Sequence, residues 1–121
     1  MRAVLLVDHG SRLAEANAIV ERIAERVRLR LPGHLVAIAH MEQGAPSVEE
    51  AFELLVGQGA TDVVVHPYFL APGRHSSRDI PALAERAASR HPGLRVRVGE
   101  PLGVHDGVVE AVLARIREAG G

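Results

Sequence analysis

Aliphatic runs alternate with stretches whose apolar residues recur about every four positions, and the alternation repeats four times along the chain. Ala3 to Val7 is an unbroken aliphatic run, as expected of a strand covered on both faces in a parallel sheet, and it ends at Asp8. From Leu13 to Leu31, Ile19, Ile23, Val27 and Leu31 fall on one helical face between glutamates and arginines, and Pro32-Gly33 stops the helix. Leu35 to Ala39 predicts the second strand. Ser47-Val48-Glu49-Glu50 reads as a capping box that starts a second helix running to about Gly57. Thr61 to His66, rich in valine, predicts a third strand closed by Pro67. Asp79 is positioned to cap a third helix with Pro81 in its first turn, and His91-Pro92-Gly93 ends it. Leu94 to Val98 predicts the fourth strand, and Val108, Val109, Val112, Leu113 and Ile116 mark an amphipathic last helix.

Four strand-helix units with connections of this length leave few topologies, because parallel crossovers are right-handed. The expected fold is α/β: one small, doubly wound, parallel four-stranded sheet with helices on both faces, filling residues 1–121 as a single domain. In such sheets ligands bind beyond the carboxyl ends of the strands. His9, Glu42 and His75 all fall on that side.

Composition narrows the classes of function. The chain is 47% hydrophobic with a formal net charge of −1, which argues for a soluble globular protein. It has no cysteine, so disulfides and thiolate metal sites are excluded, in keeping with a reducing compartment. The apolar run near Met1 is too short for a signal peptide and no later stretch could span a bilayer, so a cytoplasmic protein with no membrane partner is expected. All 14 basic residues are arginine, which reads as coding bias. With 15 acidic residues and only Phe52, Phe69 and Tyr68 as aromatics, nucleic-acid binding is not expected.

Two segments carry the candidate chemistry. His9-Gly10-Ser11-Arg12 and His75-Ser76-Ser77-Arg78 each read as a short polar loop directly following a run that reads as a buried strand. Two imidazoles and the Glu42 carboxylate form a nitrogen and oxygen donor set suited to Fe²⁺, Co²⁺, Ni²⁺ or Zn²⁺ rather than Ca²⁺ or Mg²⁺. From spacing alone, metal binding and ordinary solvated side chains explain the three equally well. Hydroxyls of Ser11, Ser76 and Ser77, with Arg12, Arg74 and Arg78, could bind anionic oxygens near helix starts, although each arginine alone also reads as plain surface. His34 and His91, beside Pro-Gly turns, read as solvated. His66 reads as packed structure rather than ligand, and His105 fits either role. No GxGxxG, phosphate loop, HExxH or GxSxG pattern is present, so nucleotide use, peptide hydrolysis and serine esterase chemistry lack support.

Taken together, Val7-Asp8-His9-Gly10-Ser11-Arg12, Met41-Glu42, Ala45-Pro46-Ser47-Val48, Pro67-Tyr68-Phe69-Leu70-Ala71-Pro72-Gly73-Arg74-His75, Asp79-Ile80-Pro81 and Pro101-Leu102-Gly103-Val104-His105 resemble the short class II chelatases of the CbiX and SirB type. That resemblance spans nearly the whole chain. It implies a flavodoxin-like half-domain that pairs as a homodimer and inserts a divalent metal into the tetrapyrrole sirohydrochlorin without ATP, in cobalamin or siroheme biosynthesis. It further implies His9 and His75 as metal-binding and catalytic histidines with Glu42 as their acidic partner, and cobalt as the expected metal ahead of iron, with nickel open. His40 departs from the family, which commonly has an aromatic residue there. If residues 40 and 42 were both extended they would share a face, and His40 could reach the metal, tune Glu42, or simply face the core or a partner subunit. A metal or tetrapyrrole carrier using the same site, and a small hydrolase using Ser11 or Ser76, are the competing functions.

Overall fold

The computed structural model describes residues 1–71 and 76–121, and the side chains of residues 76–78 fall outside that description. Strands β1 (Arg2–Asp8), β2 (Leu35–His40), β3 (Asp62–Pro67) and β4 (Arg95–Val98) alternate with helices α1 (Ala14–Arg30), α2 (Val48–Gly57), α3 (Ser76–Arg90) and α4 (Asp106–Glu118). The strands pair in parallel in the order β2-β1-β3-β4. Since β1 is flanked by β2 on one side and β3 on the other, the strand order reverses beside it. A ligand crevice at such a reversal is expected beyond the carboxyl end of β1, where His9 follows Asp8.

Alternation along β1 builds two cores. Ala3, Leu5 and Val7 face Val48, Phe52 and Leu55 of α2 and Ile80, Ala84 and Ala87 of α3. Leu6, with Val4 packed beside it, faces Val20 and Ala24 of α1. Phe52 and Leu5 are completely enclosed, and burying side chains of this size contributes about 1.5–3 kcal/mol each. The doubly wound expectation is therefore met, with helices on both faces of the sheet.

Element boundaries follow the predicted punctuation, with one informative exception. At α2 the capping box is formed: the Glu50 amide donates to the Ser47 hydroxyl at 3.2 Å, and the Ser47 amide donates to the Glu50 carboxylate at 3.0 Å. The backbone bond from Ser47, joined by its hydroxyl, holds the Glu50 carboxyl below its usual range. Helix α3 instead starts at Ser76, three residues before the expected cap, so Asp79 lies in its first turn and Pro81 is its sixth residue. Ser76-Ser77-Arg78 is thus the opening turn of a helix and not a loop. An acidic side chain favours a first turn as it favours a cap, by opposing the helix dipole, and sequence alone does not separate the two positions.

Helix α1 is also rotated from the expected face. Val20 and Ala24 are its buried residues, with Ile23 and Val27 packed against them, while Ile19 is 52% exposed. In α4, Val109, Val112, Leu113 and Ile116 remain 38–52% exposed, so its predicted apolar face is present but largely uncovered. No helix among the described residues is long and apolar enough to cross a membrane.

Candidate functional site

Backbone pairing between β1 and β2 continues past the strands themselves. The Met41 amide donates to the Asp8 carbonyl at 2.9 Å, and the Glu42 amide donates to the His9 carbonyl at 3.1 Å. His9 and Glu42 are thereby paired through their backbones on adjacent loops, and both residues are exposed. On the other flank, the Tyr68 amide donates to the Val7 carbonyl at 2.7 Å, which brings the next residue, Phe69, beside the His9 ring. The two rings stack at 4.5 Å between centroids with planes 25° apart. Such a stack restricts the imidazole to one plane and contributes about 0.5–1.5 kcal/mol. The loop after β4 supports Phe69 in turn, because the amides of Leu102 and Gly103 donate to the carbonyls of Phe69 and Leu70 at 3.0 and 2.8 Å.

Close approach of the first two loops depends on Gly10. Its φ is +87°, in the left-handed region, and a Cβ there would stand 1.7 Å from the Glu42 carbonyl oxygen. Beneath this crossing lies His40, only 2% exposed, whose Nδ1 is 2.6 Å from Asp8 Oδ1 on the facing strand residue. The chain bends immediately after His40, so residues 40 and 42 do not share an extended face. His40 is a core residue bonded to Asp8. A buried hydrogen bond to a carboxylate contributes about 1.5–3 kcal/mol, which makes this pair a firm floor for the loops above it.

Of the other candidates, Ser11 is half-buried and its hydroxyl accepts from the Leu13 amide at 3.1 Å, closing a local turn. Arg12 is exposed and lines an open depression of about 540 Å³ together with Ser11, Ala14, Asn17, Gln43 and Gly44. Ser76 and Arg78 belong to the first turn of α3, and their side chains lie outside the described residues. Arg74 and His75 lie outside them entirely. Among the described residues no group of three metal-ligating side chains is gathered.

The remaining histidines sort by packing. His105 caps α4, its Nδ1 accepting from the Gly107 amide at 2.9 Å. His34 is not solvated as its Pro-Gly neighbourhood suggested: it is half-buried, and its Nδ1 is enclosed without a hydrogen-bond partner among the described residues. His91 is likewise tucked in, its side chain 18% exposed and 3.8 Å from Glu53. His66 packs edge-on to Tyr68, and burial pushes its pKa below the ordinary 6.5. The folded state therefore takes up this proton less readily than the unfolded chain. Stability tied to neutral His66 is complete above pH 6.5 and declines as the pH falls below it toward the depressed folded value. Thermal melting across this interval should show a smaller acid-side loss in His66→Asn than in the unaltered chain; identical slopes would refute the assignment.

Three features of the site escaped the sequence reading: the Asp8–His40 pair, the Phe69 stack, and Asn17. Asn17 carried a signal, since asparagine is a poor residue inside a helix unless its amide is used.

Comparison with known proteins places these features in a family. The CbiX family model matches residues 3–119. The chloroplastic sirohydrochlorin ferrochelatase of Arabidopsis thaliana is 41% identical over 114 residues, which cover 94% of this chain and 51% of that protein. A sirohydrochlorin cobaltochelatase of Methanococcoides burtonii is 31% identical over 95% of this chain and 94% of its own length. Among solved structures, a cobalamin (vitamin B12) biosynthesis CbiX protein from Marinobacter aquaeolei VT8 superposes with a TM-score of 0.85 at 33% identity, covering 98% of this chain and 97% of that one. The sirohydrochlorin chelatase SirB of Bacillus subtilis subspecies spizizenii, in complex with cobalt, gives 0.87 at 36% identity over 97% of this chain and 50% of that one. The chain spans about half the length of the first curated relatives it matches, 51%, 46% and 44% in three ferrochelatases.

Proposed function

The chain belongs to the CbiX family, and we propose that it is a sirohydrochlorin chelatase that inserts a divalent metal, Co²⁺ first and Fe²⁺ second, into the tetrapyrrole without ATP. The observation that supports this reading is the His9–Glu42 backbone bond at 3.1 Å, which ties two exposed residues, a histidine and a glutamate, together at the point where strand order reverses. His75 is the third ligand in this reading, supplied from the residue just before α3 opens at Ser76. Support for the metals comes from relatives named as ferrochelatases and cobaltochelatases.

In this mechanism His9, Glu42 and His75 hold the incoming ion as substrate, leaving positions open for the pyrrole nitrogens. Arg12, Arg74 and Arg78, with the hydroxyls of Ser11 and Ser76 and the amino ends of α1 and α3, receive the macrocycle's carboxylates. Insertion of one divalent ion displaces two protons from inner nitrogens. A carboxylate or neutral imidazole released from the metal is placed to accept them as a general base. The stack on Phe69 keeps the His9 ring from turning away as the flat macrocycle arrives.

Residues 1–121 act here as one chelatase-like domain, and two copies form a homodimer in which the second subunit supplies the other wall for a macrocycle broad relative to four strands. The exposed stripe Val109, Val112, Leu113 and Ile116 and the double length of several relatives support that pairing. Absence of cysteine suits a reducing compartment, and the cytoplasm is the proposed location.

The test is an anaerobic insertion assay comparing Co²⁺, Fe²⁺ and Ni²⁺ with sirohydrochlorin, followed by absorption, beside sedimentation of the same sample. Nucleotide-independent acceleration over the spontaneous reaction by a dimer is expected. Stoichiometric binding of metal or macrocycle without acceleration would make the protein a carrier instead.

A further inference from the structure

We propose that Asn17 is a positioning residue that fixes the separation between His9 and Glu42 by clasping the two loops that carry them. The proposal rests on the chelatase reading above. Asn17 is the fourth residue of α1, yet its amide serves none of that helix's free amino-terminal N–H groups. Its Oδ1 accepts from the Ser11 amide at 2.8 Å, while its Nδ2 donates to the Ser11 carbonyl at 2.7 Å and to the Gln43 carbonyl at 3.2 Å. One side chain thus grips both backbone groups of a residue two places beyond His9 and the carbonyl of the residue next to Glu42.

Two further observations indicate that this grip sets a position rather than only adding stability. Gln43 has φ +53°, and among the described residues it is the single non-glycine residue in the left-handed region. Such a conformation persists only where the surroundings hold it, and the Asn17 donation to its carbonyl is one such hold. At Gly44, a Cβ would come within 2.7 Å of Asn17 Nδ2, so the second loop presses directly on the amide. Below, the Asp8–His40 pair supports both loops. Held from above by Asn17 and from below by His40, the backbone around Glu42 has little freedom to shift relative to His9. A metal bound by one ligand from each loop reads that separation directly, and partners that only orient ligands commonly change metal affinity by 10–100-fold.

The experiment compares Asn17→Ala and Asn17→Asp with the unaltered protein. Co²⁺ is titrated into the protein alone and followed by its visible absorption; amide hydrogen exchange is read at Ser11 and Glu42, and kcat and KM are measured for Co²⁺ and sirohydrochlorin. Asn17→Ala is expected to weaken Co²⁺ binding by about 10–100-fold, alter the shape of the Co²⁺ spectrum, and raise the KM for Co²⁺. Asn17→Asp keeps the acceptor for the Ser11 amide but loses both donations. It should retain exchange protection at Ser11 while still weakening Co²⁺ binding. The proposal is overturned if folded Asn17→Ala binds Co²⁺ with unaltered affinity and spectrum. It is equally overturned if affinity falls in both variants only in proportion to a global loss of structure seen by circular dichroism. Failure of the unaltered protein to bind Co²⁺ would instead refute the chelatase reading on which the proposal stands.

Discussion

Cobalt insertion by His9→Ala is expected to fall at least about a hundredfold below the unaltered protein, with little change in melting temperature. The asymmetry comes from where the ring sits. Its backbone carbonyl, not its side chain, accepts from Glu42, so alanine keeps the bond that joins the two loops. The imidazole itself is exposed, and its described packing is the stack on Phe69. Losing an exposed stacked pair costs about 1 kcal/mol at most sites of this kind, a few degrees of melting temperature in a domain of this size. Loss of the proposed metal ligand and base is expected to be far larger in rate than that loss is in stability. Initial rates of Co²⁺ insertion measured beside a thermal melt separate the two effects. A folded His9→Ala that inserts cobalt at the unaltered rate would remove His9 from the site and leave Glu42 without its proposed partner.

How much of this arrangement could be read beforehand follows from which interactions are local in sequence. The four strands, the capping box at Ser47 and the doubly wound parallel sheet were legible because aliphatic runs, Pro-Gly stops and crossover length are local or topological signals. Placing His9 and Glu42 on one rim needed only that topology. The start of α3 was missed by four residues because an acidic residue serves a cap or a first turn alike. Ile19 was assigned inward because a spacing of four fits several faces of α1, and only packing of Val20 and Ala24 against Leu6 and Val36 selects among them. Asp8–His40 pairs residues 32 positions apart, and nothing in either segment announces the partner. The same holds for Phe69 over His9. His75 and Arg74, central to the sequence reading, fall outside the described residues, so their part in the site rests on sequence resemblance and on the position of Ser76 at the start of α3.

Gly10→Ala is expected to damage both stability and metal binding, because a single methyl group acts on each through a different route. The first route is conformational: at φ +87° an L side chain is strained, at a cost of about 1–2 kcal/mol. The second is steric. A Cβ 1.7 Å from the Glu42 carbonyl oxygen and 2.9 Å from its carbon meets backbone, which cannot swing aside as a flexible side chain could. Nor can the first loop sink away, since the same Cβ lies 3.1 Å from the Cβ of His40, which is buried against Asp8. Relief therefore requires the two loops to part, stretching the His9–Glu42 backbone bond and the Asn17 contact with Gln43 together. A displacement of about 1 Å between reacting groups can by itself reduce turnover on the order of a hundredfold. The expected result is a melting temperature lower by several degrees together with Co²⁺ affinity reduced more than unfolding accounts for. His9→Ala should lose insertion with its melting temperature lowered by no more than a few degrees, whereas Gly10→Ala should lose stability and Co²⁺ affinity together. If Gly10→Ala melts and binds Co²⁺ like the unaltered protein, contact between the two loops is not what brings the carboxylate to the imidazole.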